Sequence, residues 1–485
     1  MNTVQRIAKN TAVLFAANIV SKVLSFFYIM YTARYLGAEG FGILSFALAF
    51  TGIFSVFTTL GLGQLTIREV ARDKSLAPKY LANISIIKFF LVSITFGLIA
   101  IVINLLGYPD QTIKVVYLIT LSIIFSAFTG MFYSIFQAFE KMEYQSLGQI
   151  LNSVLMLCGG LFAIKYGFSV IGFASLYFIA SIIVLGYSFT ILRWRFSNPN
   201  FNWSPQKIEI DWSFWKSTIK EALPFGLTGV FIMIYYWIDS VMLSLIKGNL
   251  EVGWYNVAYR LNLIPLIIPG IFNSVIFPVM ARYFITSKAH LNQVYQRYFK
   301  YMVILSIPIG VGVSLLSERI ILLIFGEEYI PSIIALQILI WSSVFIFING
   351  TFGRLIESLN KQIIGTKITG SCAILNIILN LLLIPKYSYI GASVATVITE
   401  FTVLVALYIS SIKHGYKIPT KDIIDNVGKA IIASILMAIF IWYFRWLNLG
   451  ILIILSASIY FVTTYILKGF DEIDINMTKR LLKKG

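Results

Sequence analysis

Long apolar segments alternate with short polar segments along the whole chain. A helix rises ~1.5 Å per residue, so about twenty apolar residues are enough to cross a ~30 Å hydrocarbon core. The pattern therefore predicts an all-α integral membrane protein with about 14 transmembrane helices. The predicted spans are residues 11–36, 41–63, 84–106, 115–137, 147–165, 169–192, 221–246, 252–281, 298–317, 332–356, 367–385, 391–412, 428–446 and 449–467.

A polar stripe runs along the first span, although most of that span is apolar. Its members recur at steps of one, three or four residues, which places them on one side of a helix. They are Asn18, Ser21, Lys22, Ser25, Tyr28, Thr32 and Tyr35. The fourth span carries a similar stripe, made of Ser122, Ser126, Thr129, Tyr133 and Gln137. Lipid offers these groups no hydrogen-bond partner, so both stripes are expected to face other helices or a water-filled cavity.

The composition agrees with a membrane protein. Hydrophobic residues make up 58% of the chain and charged residues only 12%, whereas soluble domains hold about a quarter charged residues. The first apolar segment is longer than the ~7–15-residue core of a signal peptide, so we expect it to stay in the mature protein. Cys158 and Cys372 both lie in apolar segments, which predicts neither a disulfide scaffold nor a metal site.

The net charge is +17, and most of the 38 Lys and Arg residues fall in alternate loops. These are the inner loops if the N-terminus lies in the cytosol. The outer loops then hold only Lys114, Lys165, Lys247, Arg319, Lys386 and Arg445. Positive residues concentrate on the cytosolic side of membrane proteins, so both termini are expected in the cytosol. Topology thus explains the charge, and nucleic acid is not an expected partner.

Short matches between the two halves of the chain predict a duplication. Gly37, Gly42 and Ala47 correspond to Gly248, Gly253 and Ala258, and Gly130, Phe132 and Lys141 correspond to Gly350, Phe352 and Lys361. The predicted parts are an N-terminal six-helix bundle (1–192), a cytosolic linker (193–220), a C-terminal six-helix bundle (221–412), and two additional helices with a basic cytosolic tail (413–485). Repeats with an even number of spans are parallel, and such a pair of bundles encloses a central cavity.

Three prolines interrupt the eighth span, Pro265, Pro269 and Pro278. Each removes a backbone donor and disturbs the preceding turn, so this helix is expected to be kinked or broken. Irregular backbone at membrane depth is tolerated only where protein or water covers it. The interruption is either a moving part or a packed bend.

Several short motifs resemble the polysaccharide transporter family of oligosaccharide-lipid flippases, within the multidrug/oligosaccharidyl-lipid/polysaccharide exporter superfamily. They are Leu36-Gly37-Ala38-Glu39-Gly40-Phe41-Gly42, Gly61-Leu62-Gly63, Arg68-Glu69-Val70-Ala71-Arg72 and Phe325-Gly326-Glu327-Glu328-Tyr329. The resemblance implies a V-shaped pair of bundles with alternating access. It also implies transport of a polyprenyl-phosphate-linked glycan from the inner to the outer leaflet of the cell membrane. It supplies no catalytic motif, so site residues rest on local argument.

Five cations remain for the predicted spans after those of the inner and outer loops and the span ends beside them are counted: Lys22, Arg34, Lys88, Arg260 and Arg354. Lys88 and Arg354 are close to the inner ends of their spans, so both are expected to extend to the headgroups. Arg34 is either an interface anchor or a binding group. Lys22 lies near the middle of its span, where burial costs at least ~2.5 kcal/mol, and therefore needs water or an anion as a partner.

A cavity with hydroxyls, amides and cations suits a sugar carried on an anionic phosphate. The predicted substrate-binding residues are Lys22, Arg34, Arg260, Asn18, Ser25 and Tyr28. The predicted ion-coupling residues are Asp239 and Glu400. Asp239 and Arg260 are expected at nearly the same depth in neighbouring spans, where they form either a structural pair or a pair that breaks during coupling. No cofactor and no metal are expected.

Two other functions fit parts of the pattern. A cation-coupled multidrug exporter would favour an acidic cavity, and an integral-membrane glycan polymerase or ligase would favour a large outer loop. The chain has only two histidines and no Gly-rich phosphate loop after a strand, which argues against an enzyme. The expected partners are the lipid-linked oligosaccharide, the bilayer, and a glycan polymerase or glycosyltransferases of the same pathway.

Overall fold

The structure, a computed structural model, describes residues 3–195 and 211–470, except for the side chains of 3–13, 224–225 and 228. Most of the predicted linker and of the basic tail therefore lies outside the described residues. Every regular element in the described part is helical, as predicted. The helices are α1 (Thr3–Ser55), α2 (Leu62–Arg72), α3 (Ala77–Leu105), α4 (Asp110–Ala138), α5 (Met142–Lys165), α6 (Val170–Arg195), α7 (Trp212–Lys247), α8 (Asn249–Asn262), α9 (Ile267–Thr286), α10 (Lys288–Ile324), α11 (Ser332–Ser358), α12 (Gln362–Lys413), α13 (Thr420–Tyr443) and α14 (Leu449–Ile466).

Twelve helical segments in the described residues are long and apolar enough to cross a membrane. Two of them, in α1 and α12, each contain two predicted spans. Gly37 interrupts α1 with a φ of 68°, and Ser388 interrupts α12 with a φ of 52°. Counting each interrupted helix twice gives the fourteen spans that the sequence predicts. The protein is thus an all-α, multi-pass membrane protein.

The eighth span is broken, as its prolines predict. Helix α8 ends at Asn262 and α9 begins at Ile267, with Pro265 in the turn between them. The break frees backbone carbonyls that a continuous helix would pair. Ser343 Oγ donates to the Asn262 carbonyl at 2.6 Å, and the Asn262 side-chain amide donates to Ser342 Oγ at 3.0 Å. All three residues are buried, so α11 supplies the partners that lipid cannot.

The chain divides into two compact units, Met1–Gly253 (the first unit) and Trp254–Gly485 (the second unit). In the first unit α1 packs against α4, α5 and α7, and α4 packs against α6. In the second unit α11 packs between α10 and α12, and α13 packs against α10 and α14. Helix α7 lies in the first unit, whereas the sequence repeat assigns it to 221–412. The domain boundaries drawn from the repeat stay a prediction.

Corresponding positions of the two halves share unusual backbone conformations. Gly37 and Gly248 both combine a positive φ with an extended ψ, at 68°/178° and 108°/−179°. Glu140 and Asn360 both adopt a φ close to 58°, with values of 57° and 58°, in the turns that precede α5 and α12. A left-handed conformation is uncommon for non-glycine residues, so its recurrence at matched positions supports a duplication.

The helices that follow Gly37 and Gly248 approach each other at two further glycines, within the first unit. A Cβ atom on Gly42 would lie 1.7 Å from the carbonyl oxygen of Asn249. A Cβ atom on Gly253 would lie 2.0 Å from the carbonyl oxygen of Ala38. The two contacts are reciprocal, since each repeat places its glycine on the first turn of the other repeat's helix. No side chain larger than hydrogen fits at either position without moving the backbone.

Ion pairs hold the beginning of α7 against α2 and α3, in the first unit. Arg68 pairs with Glu221 at 2.6 Å, and Lys79 pairs with Asp211 at 3.0 Å. Asp211 also caps α7, because its side chain accepts from the Phe214 amide at 2.9 Å. That backbone hydrogen bond, followed by the one from Lys79, lowers the pKa of Asp211.

We expect the first turn of α7 to loosen at low pH. A lowered folded-state pKa means that the carboxylate stabilises the fold above its ordinary pKa of 3.8, and that this contribution is lost as the pH falls through the lowered pKa. Asp211→Ala should speed amide exchange in residues 212–222 several-fold and remove this pH dependence. Asp211→Asn keeps the cap and should protect these amides nearly as well. Hydrogen exchange corrected for intrinsic rates measures both, and equal exchange in the Ala variant and the parent would refute the cap.

Lys88 does not extend to the headgroups, so that prediction is wrong. Its side chain is 2% exposed, and its ammonium donates to the Ala127 carbonyl of α4 at 2.6 Å. The position of Lys88 near the inner end of a span predicts the depth of its backbone in the membrane. The direction of its side chain depends on the neighbouring helix, which the position does not predict. Arg354, by contrast, pairs with Glu357 one turn further on and remains partly exposed.

Replacing Lys88 tests whether its charge or its volume matters. Lys88→Met should unfold at about the same temperature, because Met fills the space and needs no partner. Lys88→Glu should be markedly less stable, since a carboxylate cannot donate to the Ala127 carbonyl and an unpaired buried group costs ~1–3 kcal/mol or more. Thermal unfolding followed by tryptophan fluorescence in detergent would compare the two. A fully stable Glu variant would contradict the buried contact.

Candidate functional site

A polar pocket of about 380 Å³ lies in the first unit, between α1, α4, α5 and α6. The polar stripes of the first and fourth spans meet here, since Asn18 and Ser21 face Ser126, Thr129 and Tyr133. Helix α5 adds further polar groups, and α6 contributes Ser181 and Val184. None of the described residues that line it is charged. The pocket lies in the inner half of the spans by the predicted topology, because its α4 and α5 residues are near the turn between these helices.

Two glycines give the pocket its shape. A Cβ atom on Gly148 would lie 2.1 Å from the hydroxyl oxygen of Tyr133, so only glycine lets this ring lie against α5. A Cβ atom on Gly130 would meet no atom within 4 Å, so the space beside it is open. The Tyr133 ring therefore forms one wall while Gly130 leaves the neighbouring wall recessed.

Three polar atoms of the lining are buried without a hydrogen-bond partner among the described residues. They are Ser21 Oγ, the Tyr133 hydroxyl oxygen and Gln149 Oε1. Other hydroxyls of the lining donate within their own helices, as Ser153 does to the Gln149 carbonyl and Ser181 to the Phe178 carbonyl. A buried unpaired group is unfavourable by ~1–3 kcal/mol, so these three atoms mark a place where a polar molecule gains hydrogen bonds.

The structure places the predicted substrate-binding residues of the first span in different environments. Asn18 lines the pocket, and Lys22 follows Ser21 as an exposed side chain that makes no hydrogen bond or ion pair with a described residue. Ser25 is half-buried and Arg34 is exposed. These residues do not form one cluster, and their roles in binding remain predictions.

Tyr28 is packed into the first unit. Its ring is 4% exposed and meets Tyr177 edge to face, with 6.0 Å between centroids. Gly160 provides the space for it, because a Cβ atom there would lie 2.9 Å from the Tyr28 ring. A ring packed in this way supports the α1–α5 contact, whether or not it also meets a substrate.

The predicted acidic residues are both buried. Glu400 is 7% exposed, and its Oε2 accepts from the side-chain amide of Asn349 at 3.0 Å in the second unit. Asp239 is 4% exposed in the first unit, whereas Arg260 is half-buried in the second unit. The predicted pairing of Asp239 with Arg260 therefore stays a prediction. Within residues 3–195 and 211–470, no group of three or more His, Cys, Asp or Glu residues is arranged to hold a metal.

An apolar pocket of about 340 Å³ lies in the second unit, between α10, α13 and α14. Its lining includes Leu305, Pro308, Gly312, Met437 and Tyr460. The two helices outside the duplication thus form a wall of this pocket. Apolar pockets of this size take hydrocarbon more readily than polar groups.

The sequence reasoning missed the polar face of α5. Gln145, Gln149 and Asn152 recur at steps of four and three, which is the same signal that identifies the stripes of α1 and α4. Gln149 and Asn152 line the polar pocket, and Gln145 accepts from Gln137 at 2.8 Å. The apolar pocket gives no such signal, because its residues do not differ from those that face lipid.

Comparisons with known proteins relate this chain to proteins of glycan and polysaccharide biosynthesis. The chain is 25% identical to the probable low-salt glycan biosynthesis flippase Agl15 of Haloferax volcanii, over 94% of this chain and 93% of that protein. It is 26% identical to the capsular polysaccharide biosynthesis protein CapF of Staphylococcus aureus, over 82% of this chain and 98% of that protein.

Solved structures show the same fold. The lipid II flippase MurJ in its inward closed conformation superposes with a TM-score of 0.75 and 20% identity, over 94% of this chain and 99% of that one. An inward-facing multidrug resistance MATE transporter superposes with a TM-score of 0.67 and 14% identity, over 81% of this chain and 94% of that one. The MatE family model matches residues 224–382, and the polysaccharide biosynthesis protein model matches residues 7–284, which is more than half of the chain. The protein belongs to the polysaccharide biosynthesis protein family.

Proposed function

We propose that the protein is a flippase for an oligosaccharide linked to a polyprenyl phosphate or pyrophosphate. It moves this substrate from the inner to the outer leaflet by alternating access, during biosynthesis of a cell-surface polysaccharide. The observation that carries the proposal is the uncharged polar pocket inside the spans of a chain that belongs to the polysaccharide biosynthesis protein family. A hydrophilic headgroup needs hydrogen bonds throughout its passage across lipid, and this pocket offers them.

Each part of such a substrate is matched by a feature of the protein. Lys22 and Arg34 are ~18 Å apart along α1 by helical rise, so they contact the phosphate one after the other, each by charge-assisted hydrogen bonds. Arg260, in the second unit, is a further predicted phosphate-binding residue. Asn18, Ser25 and Tyr28 contact the glycan. The apolar pocket of the second unit suits the polyprenyl chain, which never has to leave a hydrocarbon environment. Asp239 and Glu400 couple the movement to an ion, since buried carboxylates in a membrane readily exchange a proton or a cation.

The proposed setting is the cell membrane, with both termini in the cytosol. There the glycosyltransferases that build the glycan supply substrate at the inner leaflet, and a glycan polymerase uses it at the outer leaflet. The positive charge of the inner loops supports this orientation.

A flipping assay tests the proposal. The purified protein is reconstituted into liposomes whose lipid-linked glycan, extracted from the host cell, is cleaved by an impermeant glycosidase only in the outer leaflet. The expected result is that the protected half of the glycan becomes accessible at a rate well above that of protein-free liposomes. Equal rates would contradict a flippase.

A cation-coupled multidrug exporter is the second candidate, because the MatE family model matches residues 224–382. The cations Lys22 and Arg34 on α1 favour an anionic substrate over a cationic drug. Drug accumulation in cells with and without the protein separates the two functions. A drug exporter lowers accumulation of cationic dyes, whereas a glycan flippase leaves it unchanged.

A further inference from the structure

The polar pocket of the first unit offers hydrogen bonds without charge. Its lining combines the amides of Asn18, Gln149 and Asn152 with the hydroxyls of Ser21 and Tyr133. Amides and hydroxyls together supply both donors and acceptors. A molecule that satisfies them must itself donate and accept, which is the property of a compound rich in hydroxyl groups.

Among the three unpaired atoms, Ser21 Oγ and Gln149 Oε1 narrow the choice of ligand further. Gln149 Oε1 can only accept, so its partner has to donate a hydrogen bond. An ionised carboxylate or phosphate has nothing to donate. An ammonium group donates, yet none of the described lining residues is an acid that could compensate its charge in a buried site. A neutral hydroxyl both donates to Gln149 and accepts from Ser21 Oγ.

We propose that this pocket binds a neutral, hydroxyl-rich sugar ring and excludes sugars that carry a carboxylate. This rests on the proposed function, because it names the part of the lipid-linked glycan that the pocket takes. The volume of about 380 Å³ is near the lower end of the ~300–1,000 Å³ range of ligand pockets, so it admits a short piece of glycan. The Tyr133 ring gives the apolar face of the sugar a flat surface.

The position of Lys22 extends the argument along the substrate. Lys22 follows Ser21 directly and is four residues, or one helical turn, beyond Asn18. It is exposed and has no partner among the described residues. Lys22 therefore supplies the charge that binds the phosphate, and the uncharged pocket beside it binds the adjacent neutral sugar.

Gly130 provides a sharp test, because it lines the pocket and a Cβ atom there would meet no atom within 4 Å. Gly130→Leu should fill the pocket and leave the fold intact. Gly186 in α6 is the matched control, since a Cβ atom there also meets nothing within 4 Å and the residue does not line the pocket. Both variants replace glycine by a strong helix former, so any general effect on the helices is shared.

Binding is measured on full-length protein in nanodiscs by saturation-transfer NMR. The neutral probes are the methyl glycosides of glucose, galactose, mannose and N-acetylglucosamine, and the acidic probe is methyl glucuronide. At least one neutral glycoside should bind the parent and Gly186→Leu, with binding weakened at least ~10-fold in Gly130→Leu, equivalent to ~1.4 kcal/mol. Methyl glucuronide should not bind. Absence of neutral binding, meaning that the pocket holds only water, or equal binding to Gly130→Leu, would overturn the proposal.

The flipping assay distinguishes a failure of the sugar-site proposal from a failure of the flippase function on which it rests. Gly130→Leu should lose flipping in liposomes, and Gly186→Leu should keep it. If the parent and Gly130→Leu flip equally well, the sugar pocket is wrong and the flippase stands. If the parent binds neutral glycosides but flips nothing, the flippase is wrong and the sugar site stands.

Discussion

Lys22→Glu is expected to abolish flipping while the amount of folded protein stays normal. The lysine is exposed on the polar stripe of α1 and has no partner among the described residues, so its replacement breaks no internal contact. A phosphate beside it would gain a charge-assisted contact of ~1.5–3 kcal/mol, whereas a carboxylate in its place would repel the phosphate. The leaflet-accessibility assay in liposomes measures the loss.

Graded substitutions separate charge from geometry at this position. Lys22→Arg should retain part of the activity, and Lys22→Gln should lose most of it. Lys114→Glu is the matched control, because Lys114 is also an exposed lysine of the first unit but lies at the outer beginning of α4. Full flipping by the Lys22→Glu protein would show that this lysine does not meet the transported headgroup.

Gly253→Ala and Gly42→Ala are expected to destabilise the protein, although alanine normally favours a helix. The added Cβ would lie 2.0 Å or 1.7 Å from a carbonyl oxygen, so the two helices must separate. Overpacking of this kind costs ~1–3 kcal/mol and outweighs the ~0.5–1 kcal/mol gained from helix propensity. Thermal unfolding in detergent measures the difference.

The controls for this prediction are Gly97→Ala and Gly353→Ala. A Cβ atom at either position meets nothing within 4 Å, so only the gain in helix propensity remains. These variants should be as stable as the parent or slightly more so. A Gly253→Ala protein that matches Gly97→Ala in stability would contradict the close helix contact.

The sequence predicts helices and their interruptions well because these depend on local properties. Length and hydropathy mark the spans, and Pro265 marks the break after α8. The polar stripes of α1 and α4 are also local, since spacing along one helix decides which residues share a face. The residues that meet in the polar pocket from these two helices were therefore identifiable in advance.

Contacts between helices join residues that are far apart in the sequence, and the sequence predicts these contacts poorly. Lys88 faces a carbonyl 39 residues away, and Glu400 accepts from Asn349, 51 residues away. Spacing predicts neither, because the rotation of one helix against the next depends on packing over the whole contact. For the same reason the sequence does not distinguish two residues of the α1 stripe that have different environments. Tyr28 is packed against Tyr177, whereas Asn18 lines the pocket.

The break after α8 has a consequence for synthesis of the protein. Asn262 depends on Ser342 and Ser343, which are 80 and 81 residues further along the chain. A ribosome adds ~5–20 residues per second, so these partners emerge only several seconds later. Until these partners are synthesised, the polar end of α8 has no protein groups to replace its hydrogen bonds to water. We therefore expect α8 to stay beside the translocon and not to enter the bilayer. Nascent chains that stop before residue 342 should therefore leave α8 outside the bilayer, and those that include α11 should insert it.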